Sequence, residues 1–278
     1  MTNTVKRLIL FFGAVPLLTA LILLVPHYNH IGVIAILTVV GLLCGDEFRR
    51  LTASIVRPMP RWTIGIPAVV PILAWLVGRS MLPAVVPEYL LIAAVAWALM
   101  DAVFARADQL EAGILRMGTR LLMVMYPTWF LWWLARLTWF EDAGAILIFF
   151  MLAVFLNDSG AWLFGNLFGR HRGIVPASPN KSLEGYLGGV FGSFVVVFAT
   201  SWIRPDLLPH PTWQLILFAL LAAVATIGGD LVESAFKRSL GVKDSGRVIM
   251  GRGGMLDSVD SILFTAPVFV VFLELAPK

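Results

Sequence analysis

The stretch GDLVESAFKRSLGVKDSGRVIMGRGGMLDSVDS, from Gly229 to Ser261, decides how this chain is to be interpreted. It holds five acidic and five basic side chains, and apolar sequence typical of membrane spans precedes and follows it. Because charge beside lipid is costly, such a cluster predicts a functional site. Carboxylates that suit a metal, cations that suit phosphate and glycines that permit close backbone approach together indicate chemistry on a nucleotide.

Helical spacing places the acidic side chains of this stretch on two faces. On a helix that starts near Gly229, positions i, i+3, i+4 and i+7 are Asp230, Glu233, Ser234 and Lys237. Two further carboxylates, Asp257 and Asp260, share a second face with Ser261. Like charges on one face repel each other unless a cation lies between them, and Mg²⁺ suits oxygen ligands supplemented by water and phosphate.

The glycine-rich segment between the two faces, with Gly251, Gly253 and Gly254, would allow backbone N–H groups to approach a phosphate. A solvated cytoplasmic loop is the alternative interpretation. It explains the loop charges, but it does not explain aspartates set into the start of an apolar helix.

The composition predicts an all-α, polytopic integral membrane protein. The 278 residues are 59% hydrophobic and 14% charged, with a mean hydropathy of +0.87, whereas soluble domains are about 45–50% apolar and about 25% charged. The net charge of +4 is spread over short loops, which favours membrane topology over a nucleic-acid partner. Cys44 is the single cysteine, so an internal disulfide and a cysteine-based zinc site are excluded.

Segments of about 20 apolar residues predict nine transmembrane helices, at 8–26, 30–45, 62–78, 83–104, 119–136, 142–158, 186–203, 213–232 and 255–275. With a cytoplasmic N-terminus, 17 of the 21 lysines and arginines face the cytoplasm, which is a strong bias. We therefore expect N-terminal helices over 1–140 that anchor the protein and form cavity walls. A catalytic transmembrane region over 141–278 would then present its motif loops to the cytoplasm.

Two upstream segments carry further polar residues. NDSGAWLFGNLFGRHR, at 157–172, closes the sixth span with glycines spaced for close helix packing, although Arg170, His171 and Arg172 on their own are typical of topology charges. SPNKSLEGYLGG, at 178–189, is typical of a phosphate-binding loop before a helix N-terminus. Within it, Ser182 is a candidate helix cap, and Lys181 and Glu184 have the spacing of a helical ion pair.

These three segments resemble the motifs of the phosphatidate cytidylyltransferases, also called CDP-diacylglycerol synthases. The matching residues are Ser234-x-Phe236-Lys237-Arg238-x4-Lys243-Asp244-Ser245-Gly246, followed by Gly251-x-Gly253-Gly254-Met255-Leu256-Asp257-x2-Asp260. NDSGAW with GxxFG, and SPNKSLEG, resemble the two upstream motifs of that family. All three occur in family order over about 105 residues.

The resemblance implies transfer of a cytidylyl group from CTP to phosphatidate, giving CDP-diacylglycerol and pyrophosphate. It also implies Mg²⁺ dependence, with room for a second cation such as K⁺, and a homodimer. From the resemblance together with the distribution of lysines and arginines, we expect a protein among the lipids of a bacterial inner membrane, with its active site facing the cytoplasm. The metal ligands would be Asp230, Asp257 and Asp260, with Asp244 as a further ligand or loop organiser. Phosphates would be held by Lys181, Lys237, Arg238 and Lys243, and the site would be lined by Asn157, Asp158 and Ser178.

Three positions depart from the family pattern. Arg252 precedes Gly253 and Gly254 where the family usually has histidine, Ser258 stands where arginine is usual, and Asn180 replaces a common lysine. If that histidine only binds phosphate, Arg252 can substitute for it, whereas a proton-transfer role would be lost. The departures leave open a cytidylyltransferase for a different lipid phosphate. The basic loops leave open a second alternative, a non-enzymatic protein that binds anionic lipid head groups.

Overall fold

The computed structural model describes residues 3–100, 103–104, 111–249 and 253–276, with the backbone alone over 3–12, and its regular elements in these ranges are helices. The α-helices are α1 (Asn3–Leu24), α2 (His27–Thr52), α3 (Gly65–Gly78), α4 (Val86–Met100), α5 (Gly113–Met123), α6 (Phe130–Arg136), α7 (Ala143–Phe168), α8 (Leu183–Ile203), α9 (Thr212–Ser239) and α10 (Leu256–Glu274).

The all-α, multi-pass architecture predicted from composition is confirmed. Six helical segments are long and apolar enough to cross a membrane: 27–52, 61–78, 143–168, 183–203, 212–239 and 256–274. Two shorter apolar helices, Gly13–Leu24 and Val86–Met100, coincide with further predicted spans. Within the described residues, this criterion of length and composition therefore gives fewer spans than the nine predicted.

Helix α2, which corresponds to the second predicted span, is longer than the predicted residues 30–45. Residues 28–30 open α2 in the left-handed region, with φ near +53°, and the helix then continues past residue 45 to Thr52. Charged residues at its end are accommodated locally, because Arg50 pairs with Asp46 at 2.6 Å and the Arg49 Nε donates to the Met59 carbonyl at 2.6 Å. Arg49 and Arg50 thus belong to the helix rather than to a loop.

Pro127 interrupts the fifth predicted span without ending it. A π-helical turn, Val124–Trp129, joins α5 to α6 around this proline. The Thr128 hydroxyl donates to the Met123 carbonyl at 2.8 Å, which satisfies a backbone group near the proline. This is the local compensation that makes proline tolerable in a membrane helix.

The chain forms two compact units, one of 1–139 with 244–256 and one of 140–243 with 257–278. In the first unit α2 packs against α3. Gly41 permits this close approach, since a Cβ there would lie 2.6 Å from the Pro67 carbonyl oxygen. The first unit also contains the glycine-rich segment after α9, because residues 244–256 belong to it.

The second unit is built on the pair α7 and α8, with α9 and α10 packed beside them. Gly160 of α7 lies against the backbone of Gly188 in α8, which confirms the close packing predicted from glycine spacing. Phe149, Phe218 and Phe269 join α7, α9 and α10 through ring contacts with centroid distances of 4.8–6.1 Å. These contacts fix the helices that carry the predicted acidic faces.

Candidate active site

The start of α10 and the middle of α9 are in close contact. The Thr226 and Thr265 hydroxyls are 2.9 Å apart, and the Ser261 hydroxyl donates to the Thr226 carbonyl at 3.0 Å. A Cβ on Gly229 would lie 2.6 Å from the Asp260 carbonyl oxygen, so glycine is needed where the helices meet. This contact brings the two predicted acidic faces together.

Lys237 lies between a carboxylate of α9 and a carboxylate of α10. Its Nζ is 2.5 Å from Glu233 Oε2 and 2.5 Å from Asp257 Oδ1. The side chains are buried, with exposed fractions of 13% for Lys237, 1% for Glu233 and 5% for Asp257. The ammonium group is therefore the cation that keeps two buried carboxylates close to each other.

Lys181 reaches α9 from the loop between α7 and α8. Its ammonium pairs with the Asp230 carboxylate, and the Ser234 hydroxyl donates to the other oxygen of Asp230 at 3.3 Å. The expected pair of Lys181 with Glu184 is wrong. Glu184 instead binds the His171 ring at 2.6 Å and accepts from the backbone N–H groups of residues 170 and 171.

The loop that carries Lys181 is fixed at both ends. The Arg172 guanidinium donates to the Gly165 carbonyl at 3.0 Å and to the Asn180 carbonyl at 2.7 Å, so this arginine organises the loop. The Ser182 side chain accepts from the Gly185 N–H at 3.1 Å, which confirms it as the cap of α8. Lys181 is thus held directly before a capped helix N-terminus.

Asp260 is a second enclosed aspartate of α10. It is buried, and its Oδ1 accepts from the Ser261 N–H at 2.6 Å. Asp158, the remaining predicted aspartate of α7, is exposed. Helices α9 and α10 therefore each carry predicted carboxylates where they meet, with Lys237 between two of their side chains.

The remaining predicted site residues make other contacts. The buried Asn157 joins two helices, because its Nδ2 donates to the Gly189 carbonyl at 3.0 Å and to the Ser193 hydroxyl at 2.9 Å. Ser178 lies in the turn before Lys181, where its carbonyl accepts the Lys181 N–H at 3.2 Å. Arg238 is exposed and donates to the Val242 carbonyl at 3.3 Å. Two further predicted residues are exposed after the end of α9: Lys243 in the second unit and Asp244 in the first.

In the glycine-rich turn of the first unit, backbone groups form hydrogen bonds with other groups of the protein. Gly253, at φ +107°, exchanges hydrogen bonds with Ile249 at 2.9 and 3.2 Å. The next backbone donors, Met255 and Leu256, donate to the Glu47 carboxylate at 2.7 and 2.9 Å. Arg252 and Gly251 lie outside the described residues.

Sequence reasoning missed two carboxylates as site residues. Glu233 had a usable signal, since it lies on the helical face that also carries Asp230 and Lys237. Glu47 had none, because a single glutamate at the end of an apolar span is typical of a solvated helix end. Its partners lie about 200 positions further along the chain.

The candidate metal ligands are Asp230, Asp257 and Asp260. Among the residues that the structure describes, no three carboxylate, histidine or cysteine side chains are grouped as a ready-made metal site. Mg²⁺ usually takes one or two carboxylates together with water and substrate phosphates, so a preformed cage is not required. The donors here are all carboxylate oxygens, and this set fits a hard divalent cation.

The model of the cytidylyltransferase family matches residues 5–276, which is nearly the whole chain. The chain belongs to the cytidylyltransferase family. This assignment agrees with the resemblance of the three polar motifs, and with a multi-pass membrane protein. It extends the likeness to the N-terminal helices, for which the motifs gave only a general span pattern.

Individual relatives match about half of the chain. An uncharacterized protein of Escherichia coli K12, YnbB, is 43% identical over 134 residues, 48% of this chain and 44% of that protein. A phosphatidate cytidylyltransferase of Staphylococcus haemolyticus is 39% identical over 133 residues, 48% of this chain and 50% of the relative. That of Staphylococcus aureus strain COL is 41% identical over 127 residues, 46% of this chain and 48% of the relative. Each alignment thus spans about half the length of the relative.

Proposed function

We propose that this protein transfers a cytidylyl group from CTP to phosphatidate, giving CDP-diacylglycerol and pyrophosphate. The observation that carries the proposal is the arrangement of Lys181 on Asp230 and of Lys237 between Glu233 and Asp257. Family membership and the names of the staphylococcal relatives support the same reaction. We propose also that the protein acts as a homodimer in a bacterial inner membrane, with this site open to the cytoplasm.

The reaction joins two polyanions, so its main difficulty is electrostatic. A phosphate oxygen of phosphatidate attacks the α-phosphorus of CTP, and the bond from that phosphorus to the oxygen that bridges to the β-phosphorus breaks. Pyrophosphate leaves with the bond electrons, and no proton has to be transferred. Positioning and charge stabilisation therefore supply most of the catalysis.

Lys181 and Lys237 would bind the triphosphate. Each ammonium lies on carboxylates in the protein, and it can turn toward phosphate oxygens when a polyanion enters, because a lysine donates in three directions. Mg²⁺ held by Asp230, Asp257 and Asp260 would neutralise the phosphates and the departing pyrophosphate. A second cation such as K⁺ would act in the same way. The site would receive CTP from water and the phosphatidate headgroup from the bilayer.

The test is an assay of the purified protein with radiolabelled CTP and a panel of lipid phosphates, with and without Mg²⁺. We expect CDP-diacylglycerol from phosphatidate only when Mg²⁺ is present. Preference for an ether-linked or isoprenoid phosphate would retain the chemistry and overturn the substrate. No product from any lipid, together with no Mg²⁺-dependent CTP binding in calorimetry, would favour a lipid-binding protein.

Alanine variants of the proposed ligands test the site itself. Asp257→Ala and Asp260→Ala should each lower turnover by about 100-fold or more, as loss of a group that stabilises transition-state charge does. Asp206→Ala is the matched control, because Asp206 is exposed and pairs with Arg204 outside the helices. Unchanged turnover in both ligand variants would contradict the site assignment.

A further inference from the structure

Glu47 is a buried carboxylate that the proposed reaction does not use. It lies near the end of α2 with only 4% of its surface exposed, whereas its neighbour Asp46 is partly exposed. Glu47 Oε1 accepts the Met255 N–H at 2.7 Å. Its Oε2 accepts the Leu256 N–H at 2.9 Å and the Ser245 hydroxyl at 3.2 Å. All of these residues belong to the first unit.

Two glycines of the motif leave room for this carboxylate. A Cβ on Gly246 would lie 2.6 Å from Glu47 Oε1, and its three nearest neighbours would all be atoms of the Glu47 side chain. A Cβ on Gly254 would lie 2.5 Å from Glu47 Oε2. The sequence predicts that glycines in this stretch let backbone N–H groups approach a phosphate. In the structure, Gly246 lies against the Glu47 carboxylate, and Gly254 lies against the Ser245 hydroxyl and the same carboxylate.

The hydrogen bonds of Glu47 act on both ends of the segment 245–256, which we call the motif loop. Ser245 and Gly246 lie at its beginning, and Met255 and Leu256 lie at its end, where α10 starts. A buried carboxylate is costly unless it is hydrogen-bonded, and bonds to a charged acceptor are stronger than neutral ones. Glu47 therefore joins the two ends of the loop by hydrogen bonds that water would replace poorly. Asp257, a proposed metal ligand, is the next residue after Leu256.

We propose that Glu47 is a positioning residue of the active site, which fixes the ends of the motif loop and hence the start of α10. This inference rests on the proposed function for its catalytic consequence, but the clamp itself does not depend on which reaction is catalysed. Glu47 is not one of the residues proposed to bind substrate or metal, so its effect on turnover would arise through the position of Asp257.

Glu47→Gln tests the clamp with almost no change of volume. The amide keeps one acceptor oxygen, so one of the two backbone donors loses its partner. We expect kcat to fall about 10- to 100-fold with a change in the KM for CTP of less than about threefold, because the loss lies in positioning rather than in binding. Amide hydrogen exchange over residues 253–257 should quicken by about tenfold or more. Asp46→Asn is the matched control and should change neither quantity.

A double-mutant cycle separates the clamp from general damage to the fold. Gly246→Ala should displace the Glu47 carboxylate and lower kcat by about the same factor as Glu47→Ala. In the Glu47→Ala background the added methyl group has space, so Gly246→Ala should have little further effect. The cycle relies on a second substitution, so it remains informative if Glu47→Gln folds poorly.

The outcomes distinguish this inference from the proposed function. Additive effects of Gly246→Ala and Glu47→Ala, or unchanged hydrogen exchange in Glu47→Gln, would overturn the clamp even if the wild-type protein is fully active. An inactive wild-type protein whose 253–257 exchange still depends on Glu47 would overturn the proposed function and leave the clamp standing.

Discussion

Replacing Lys237 with methionine removes the cation between Glu233 and Asp257 while it keeps most of the side-chain volume. The two N–O distances are both 2.5 Å. At an effective dielectric constant of about 20, each such contact is an attraction of roughly 6–7 kcal/mol, most of which is offset by the cost of desolvating the charges. Removing one partner of a buried ion pair leaves an uncompensated charge and typically costs about 3–5 kcal/mol. Here two buried carboxylates would be left facing each other.

We therefore expect Lys237→Met to lower the free energy of unfolding by about 3–5 kcal/mol, and the Tm by roughly 10 °C. Circular dichroism of the protein in detergent, during heating, measures the change. Lys243→Met is the control, since Lys243 is exposed, and its effect should stay within about 0.5 kcal/mol. The double variant Glu233→Gln/Lys237→Met should regain at least half of the loss. A Lys237→Met protein as stable as the wild type, or no recovery in the double variant, would refute the reasoning.

Two further predictions concern the same helices. Lys181→Met should lower turnover by about tenfold or more, yet lower stability by no more than about 1 kcal/mol, because the pair with Asp230 is one-third exposed on both sides; steady-state kinetics beside thermal melts would reveal a contrary pattern. Gly229→Ala should destabilise by about 1–3 kcal/mol, since its methyl group would meet the Asp260 carbonyl. Gly228→Ala, whose methyl group would meet nothing within 4 Å, should be neutral or slightly stabilising, and equal melting temperatures for the two variants would contradict this packing.

Periodicity predicted those parts of the site that depend on neighbours along one helix. The face with Asp230, Glu233 and Lys237 follows from 3.6 residues per turn. The structure places each of the three in an ion pair, Asp230 with Lys181 and Lys237 with Glu233 and Asp257. The same local rule predicted the wrong partner for Lys181. The lysine pairs with Asp230, 49 residues away, and not with Glu184, which is three residues away. Tertiary packing decides such a choice, and helical spacing does not contain it.

The span boundaries show a similar limit. The sequence ended the second span at residue 45 because charged residues follow, yet α2 continues to Thr52. Arg49 and Arg50 remain helical since each finds an acceptor near the helix end. Hydropathy detects the apolar core of a membrane helix, whereas its end depends on local hydrogen bonds that the hydropathy profile does not contain.

The contacts of Glu47 also bear on how the protein is made. Its partners Ser245 and Leu256 lie 198 and 209 residues later in the chain. At synthesis rates of about 5–20 residues per second, these partners follow Glu47 by roughly 10–40 seconds. During that interval the Glu47 carboxylate is without the three hydrogen-bond donors that it has in the folded protein. The first unit can be completed only after residues 244–256 have been translated, so its assembly waits for a segment about 200 positions after Glu47.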